Sequence, residues 1–144
     1  MNALVVRPAR ELDAAAVEAL SRRPFAAAWS MEAYAAETAR PDALFLVADD
    51  GRTRGYALAR LSGERAELLD FAVEADGRGI GRALWTALTA GALRRGARVL
   101  SFEVSERNAR ARAFYARAGA RVVGRRSKFY NDGSDALLMD VALA

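Results

Sequence analysis

Three glycines at alternate positions, Gly77, Gly79 and Gly81, separate an apolar run ending in Phe71-Ala72-Val73 from an amphipathic run beginning at Ile80. Lacking side chains, they leave backbone N–H groups unshielded, and Arg78 and Arg82 add two cations at the same place. A helix that starts there contributes its unbonded first-turn amides and the positive end of its dipole. Such a constellation suits a phosphate or a pyrophosphate. Further along, Glu103 is a carboxylate inside an otherwise apolar run in which Leu100, Phe102 and Val104 share one face. The chain has neither histidine nor cysteine. Ser-His triads, thiolate nucleophiles, disulfides, His- or Cys-based metal sites and the usual near-neutral base are therefore excluded. A carboxylate in a central strand is the best general base that remains.

Elements must hold these groups. The 144 residues, 53% hydrophobic and 28% charged, fit one domain spanning the whole chain. No run approaches the roughly 18–20 apolar residues of a membrane span, and the N-terminus lacks signal-peptide form, which predicts a cytoplasmic setting. Lys128 is the sole lysine in a chain of net charge +4. Arginines spread along an alanine-rich chain fit a codon bias better than a nucleic-acid surface.

A strand over 4–7 is ended by Pro8. The segment 11–20 is expected to be helical, with Leu12, Ala16, Ala19 and Leu20 as its apolar positions. Pro24 breaks it, an aromatic loop with Phe25 and Trp29 follows, and Ser30 caps a second helix through Ala39. Strands are expected over 43–48, 54–61 and 66–73, the first two joined through Asp49-Asp50-Gly51. A helix over 79–95 places Ile80, Leu84, Leu88 and Leu93 near one stripe, with Gly91 weakening it and Gly96 ending it. A strand over 97–104, a helix over 109–118 and strands over 121–126 and 136–141 complete the order β-α-α-β-β-β-α-β-α-β-β. This is an α/β protein with a mixed sheet and helices on both faces.

A P-loop needs Gly-x-x-x-x-Gly-Lys followed by Ser or Thr, which is absent. A dinucleotide fold wants Gly-x-Gly-x-x-Gly, but Gly77-x-Gly79 meets Arg82 at the third position and Gly79-x-Gly81 meets Leu84. Its acid belongs at a strand end, and too little chain remains for another crossover. A tight turn alone would not need three alternating glycines and two arginines.

The segment Arg78-Gly79-Ile80-Gly81-Arg82-Ala83-Leu84 resembles the coenzyme A pyrophosphate motif of the GNAT acetyltransferase superfamily, and the element order agrees along nearly the whole chain. Within it the chain is most similar to the branch of ribosomal-protein-alanine N-acetyltransferases (RimI). That likeness rests on Ala28-Trp29-Ser30, Phe102-Glu103-Val104, the run from Asn108 to Gly119, and a tail of Arg125-Arg126, an aromatic pair and Asp135-Ala136-Leu137-Leu138-Met139. The resemblance implies the GNAT fold, acetyl-CoA as cosubstrate and no metal. It implies Glu103 as general base through water and Tyr115 as general acid at the coenzyme sulfur. Backbone amides of Phe71, Ala72 and Val73 would bind the acetyl oxygen and pantetheine arm. The loop from Gly77 through Arg78, Gly79, Ile80 and Gly81 to Arg82 would hold the pyrophosphate, and Asn108 would hydrogen-bond the coenzyme. Trp29, Phe129 and Tyr130 would wall the acceptor groove. The implied acceptor is a protein or peptide N-terminus, with a ribosomal protein as the target that this branch implies. A small amine, an aminoacyl-tRNA and a non-catalytic coenzyme-binding role are the alternatives. A peptide α-amine titrates near 7.7–8.0 and lysine near 10.4, so about a quarter of the former but only about one in a thousand of the latter is neutral near pH 7.4. A water-mediated base suits the α-amine. The chain departs from the family in a glycine loop two residues shorter without its proline, in Asp76, and in Ala118-Gly119-Ala120 where Leu-Gly-Phe is usual.

Overall fold

The computed structural model describes residues 2–74 and 79–143. Its elements are β1 (Val5–Pro8), a 3-10 turn (Glu11–Asp13), α1 (Ala14–Leu20), α2 (Met31–Glu37), β2 (Ala43–Asp49), β3 (Thr53–Ser62), β4 (Arg65–Val73), α3 (Ile80–Arg94), β5 (Val99–Ser105), α4 (Ala109–Arg117), β6 (Arg121–Arg126) and β7 (Ala136–Ala142). The order and type of every expected element hold. The strands form one seven-stranded sheet in the order β1-β2-β3-β4-β5-β7-β6. Every neighbouring pair is antiparallel except β4–β5, which is parallel.

Both faces of the sheet's first half are covered, which is why β2 reads as a continuous apolar run rather than an alternating one. Phe45 and Val47 point to one layer with Val17 and Leu20 of α1, Tyr34 of α2, and Tyr56 and Leu58 of β3. Leu46 and Ala48 point to the other, with Ala57, Ala59, Leu68 and the α3 side chains Ile80, Leu84 and Leu88. Small residues let α3 lie close: a methyl group on Gly91 would sit 3.2 Å from Leu44 Cδ2. Gly91 thus trades helix propensity for approach to β2.

Three expected apolar positions are corrected. Leu93 is 41% exposed, because the buried stripe of α3 ends on Gly91 and Ala92 instead. Leu12 is 92% exposed, and Ala19 is exposed as well. The 3-10 turn shifts the phase of the segment, so Asp13, Ala14, Val17 and Leu20 face inward. Asp13 is admitted to that face because Arg7 donates to both of its oxygens, at 2.8 and 2.9 Å, and the Arg10 amide donates at 2.7 Å. These bonds hold its carboxyl below the usual range, with the Arg7 guanidinium the largest cause.

Candidate active site

The sheet opens between β4 and β5. Their ladder covers only Arg65 with Val99, Ala66 with Leu100 and Glu67 with Ser101. Past that point β4 is deflected by a bulge at Leu69, since Leu58 opposes Asp70 while Ala59 opposes Leu68. The extra residue reverses the face of every residue after it. Leu68 packs in the α3 layer, whereas Asp70 and Ala72 turn to the α1–α2 side and Phe71 and Val73 to the α3 side. The Glu74 amide donates to Arg54. Antiparallel ladders alternate, so Asp70 and Ala72 spend their backbone groups on β3, while Phe71 and Val73 aim theirs into the gap. Of the three strand residues expected at the coenzyme, Phe71 and Val73 therefore present backbone there. The Ala72 backbone belongs to the β3 ladder and its methyl is buried under α1 and α2.

The start of α3 lies next along the chain. Gly79 is its N-cap at φ 77, a left-handed conformation, with no side-chain cap. The first-turn amides of Ile80, Gly81 and Arg82 thus have no intrahelical carbonyl to bond. Open space surrounds the missing Cβ of Gly79, so glycine is needed there for its backbone angle and not for room. Ile80 contributes only backbone, because its side chain is in the core. Arg82 is exposed and pairs with no described residue. Gly77 and Arg78, like Asp76, lie outside the described residues. Asn108 is the N-cap of α4: its side chain accepts from the Ala111 amide at 3.2 Å, leaving the amide NH2 to donate elsewhere.

Tyr115 comes from α4 on the α3 side of the sheet. Its ring lies 4.3 Å from Phe102 and 5.6 Å from Trp85, within a cluster that also contains Phe71 and Phe114. The residue is 8% exposed. Its hydroxyl bonds to no described residue, yet no buried side-chain oxygen among the described residues is unsatisfied, so the hydroxyl tip reaches solvent. Burial, and secondarily the Asp70 charge, raise this phenol above its ordinary value, so it holds its proton at neutral pH.

Glu103 projects from the opposite face of β5, because Leu100, Phe102 and Val104 take the α3–α4 side. It is exposed rather than buried, and Arg126 of β6 lies 3.4 Å away. The Arg126 guanidinium also sits 5.3 Å above the Phe129 ring, which meets Tyr130 edge-on at 5.1 Å. Tyr130 is half-buried, and burial followed by the Glu103 and Asp132 charges raises its phenol. Glu103, Phe129 and Tyr130 therefore gather on one face. Trp29 is on that same sheet face but in the α1–α2 loop, stacked on Tyr34 at 5.5 Å.

The sequence did not single out Asp70 as part of the site. It is 5% exposed and accepts from Tyr34 Oη at 2.6 Å, Tyr56 Oη at 2.7 Å and the Ala27 amide at 3.1 Å. Burial, then Asp70 itself, raises both tyrosine phenols. The one available signal was an acid at an inward position of an apolar strand, and the bulge concealed that it was inward. No helix among the described residues is long and apolar enough to cross a membrane.

The geometry offers an opened strand edge, a helix start with no side-chain cap, an arginine without a partner among the described residues, a protonated phenol on one side of the gap and a carboxylate on the other. That set can anchor an anionic carrier, seat an extended amide chain beside β4, and move protons in and out of a transfer reaction. Comparison with known proteins agrees. Residues 14–120 match the family model described as Acetyltransferase (GNAT) family. An uncharacterised N-acetyltransferase of Methanocaldococcus jannaschii is 31% identical over 94% of this chain and 90% of its own. The crystal structure of the ribosomal-protein-S18-alanine N-acetyltransferase from Escherichia coli superposes with TM-score 0.86 at 25% identity, covering 99% of this chain and 95% of that one. Arabidopsis thaliana NAA60 in complex with acetyl-CoA superposes with TM-score 0.85 at 20% identity, covering 97% of this chain and 98% of that one.

Proposed function

Since the chain belongs to the acetyltransferase (GNAT) family, it is an N-acetyltransferase using acetyl-CoA, and we propose that its acceptor is the N-terminal α-amine of a protein or peptide, a ribosomal protein foremost. One domain carries the whole reaction, and a ribosomal acceptor puts it in the cytoplasm. The observation that carries the reading is the placement of Glu103 and Tyr115 on opposite faces of the sheet at the β4–β5 gap.

The residues fit acetyl-CoA. The free backbone groups of Phe71 and Val73 continue the broken ladder and hold the pantetheine arm and the acetyl oxygen. Gly79, Ile80, Gly81 and Arg82 present the α3 N-terminus and a mobile cation to the pyrophosphate, with Gly77 and Arg78 completing the loop in sequence. The free NH2 of Asn108 donates to the arm. When bound, acetyl-CoA supplies an acetyl group activated as a thioester.

Glu103, reaching solvent on the acceptor face, takes a proton from the α-ammonium through water. The neutral amine then attacks the acetyl carbonyl carbon, and a new C–N bond replaces the C–S bond. Amides at Phe71 and Val73 stabilise the carbonyl oxygen as it gains charge. Tyr115, kept protonated by burial, gives its proton to the departing thiolate, and the second proton that the nitrogen sheds as the amide forms restores the phenol. Trp29, Phe129 and Tyr130 wall the acceptor groove. A ribosomal acceptor draws support from the Escherichia coli likeness and the Arg125-Arg126 tail with its aromatic pair.

A peptide-library screen that follows coenzyme thiol release tests this. Free N-terminal peptides should be acetylated on the α-amine, and peptides with a blocked N-terminus but free lysine should not. Acetylation confined to polyamines or aminoacyl-tRNA would overturn the acceptor assignment.

A further inference from the structure

Asp70 is a buried carboxylate that the acetyl transfer does not use. No arginine or lysine among the described residues pairs with it, although a buried charge without partners is costly. Hydrogen-bond donors compensate. Oδ2 accepts from Tyr34 Oη and Tyr56 Oη, and Oδ1 accepts from the Ala27 amide. Bonds to an ionised acceptor are the stronger kind, so this carboxylate is a firm anchor.

Its reach extends past its direct partners. The Tyr34 hydroxyl that donates to Asp70 also accepts the Trp29 amide at 3.2 Å. Two amides of the loop between α1 and α2 thus end on one carboxylate and its phenol. The same loop holds Phe25 at φ 69 and Ala28 at φ 56, left-handed values for residues that are not glycine. Such angles persist only where the surroundings enforce them. The loop therefore has a shape of its own, fastened at Ala27 and Trp29, and it presents the Trp29 ring stacked on Tyr34. At the other end of the tether, Asp70 precedes Phe71, whose backbone faces the gap.

We propose that Asp70 is a positioning residue for the acceptor: through Tyr34, Tyr56 and the Ala27 amide it couples the coenzyme strand to the α1–α2 loop and sets Trp29 as a fixed wall of the acceptor groove. The coupling to peptide binding rests on the N-terminal acetyltransferase reading above; the tether itself does not.

The test uses the full chain with Tyr34→Phe, Asp70→Asn and Asp70→Ala. Tyr34→Phe keeps the ring and its stacking but removes the relay to the Trp29 amide. Its KM for a short alanine-initiated peptide should rise about tenfold, the cost of one charge-assisted bond, while kcat and the acetyl-CoA Kd stay within about twofold. Hydrogen exchange at the Ala27 and Trp29 amides should accelerate while the amides of β2 keep their protection. Asp70→Asn retains an acceptor for Ala27 and should recover part of what Asp70→Ala loses in peptide KM. An unchanged peptide KM in Tyr34→Phe overturns the proposal, as does a fall in kcat with a rise in KM that merely follows the loss of global stability. If the unaltered protein acetylates no N-terminal peptide, the acceptor reading fails alone. Exchange at Ala27 and Trp29 then decides the tether, and unchanged rates there in Tyr34→Phe reject it.

Discussion

Tyr115 combines a ring packed among Phe71, Trp85, Phe102 and Phe114 with a hydroxyl that touches solvent. The ring needs no oxygen for that packing, so Tyr115→Phe should fold normally and bind acetyl-CoA within about twofold. Its turnover should fall by about 100-fold or more if the phenol delivers the proton. Steady-state kinetics alongside calorimetric titration of acetyl-CoA separates the two effects, and an unchanged rate removes Tyr115 as the acid. Glu103 permits a similar division. Its contact with Arg126 at 3.4 Å is an exposed pair, worth at most about 1 kcal/mol. Glu103→Gln should therefore leave the unfolding free energy nearly unchanged while turnover drops by about 100-fold. A large stability loss with activity retained would make the residue structural. Glu103 and Tyr115 could be named as candidates from the sequence because each sits inside a local pattern that the family resemblance covers. Asp70 could not, because its partners come from α2, β3 and the α1–α2 loop, and no local spacing announces such a meeting. Arg126 was visible as part of a tail pattern, but its approach to Glu103 depends on the register of β6 against β7.

At the level of elements, strands and helices followed from apolar runs punctuated by proline and glycine, and each expected element is present. Errors arose where phase matters. The 3-10 turn rotated the α1 segment so that Leu12 faces solvent and Asp13 faces inward, and one bulged residue in β4 exchanged its faces. Neither device alters composition, so periodicity cannot show it. The inward Asp13 implies a pH signature. Arg7 lowers its native carboxyl pKa, so the stabilisation is complete above the unfolded value near 3.9 and is lost as pH falls through the lower native value. Asp13→Asn should cost about 1–3 kcal/mol at pH 7, and this difference should shrink from about pH 4 downward. Urea unfolding of both proteins across that range measures it. At the start of α3, Gly79→Ala forces a Cβ onto a left-handed backbone and should destabilise by about 1–2 kcal/mol. Since nothing crowds that position, a methyl group accepted at no cost would show that the angle is not maintained in solution.

For the molecule as a whole, ligand binding and stability are linked. Acetyl-CoA at 100 times its Kd should add about 2.7 kcal/mol, a melting rise of roughly 5–11 °C for a chain of this size. A thermal scan with and without acetyl-CoA checks this, and the complete absence of a shift would argue against coenzyme binding altogether. The opening of the sheet has a mechanical side as well. Among the described residues, three ladder pairs join the half built from β1 to β4 with the half built from β5 to β7. On the α3 side the Phe71–Trp85–Phe102–Tyr115 cluster adds a second fastening between them. Within the first half, β2, β3 and β4 are sequence neighbours joined in hairpins, whereas the parallel β4–β5 pair must close a long crossover. The junction is thus a seam between two cooperative units, and a coenzyme arm lying along β4 would act as its stitch. Pulled apart or partially denatured, the empty protein should part along that line first, with exchange protection surviving longest in the meander of β2, β3 and β4.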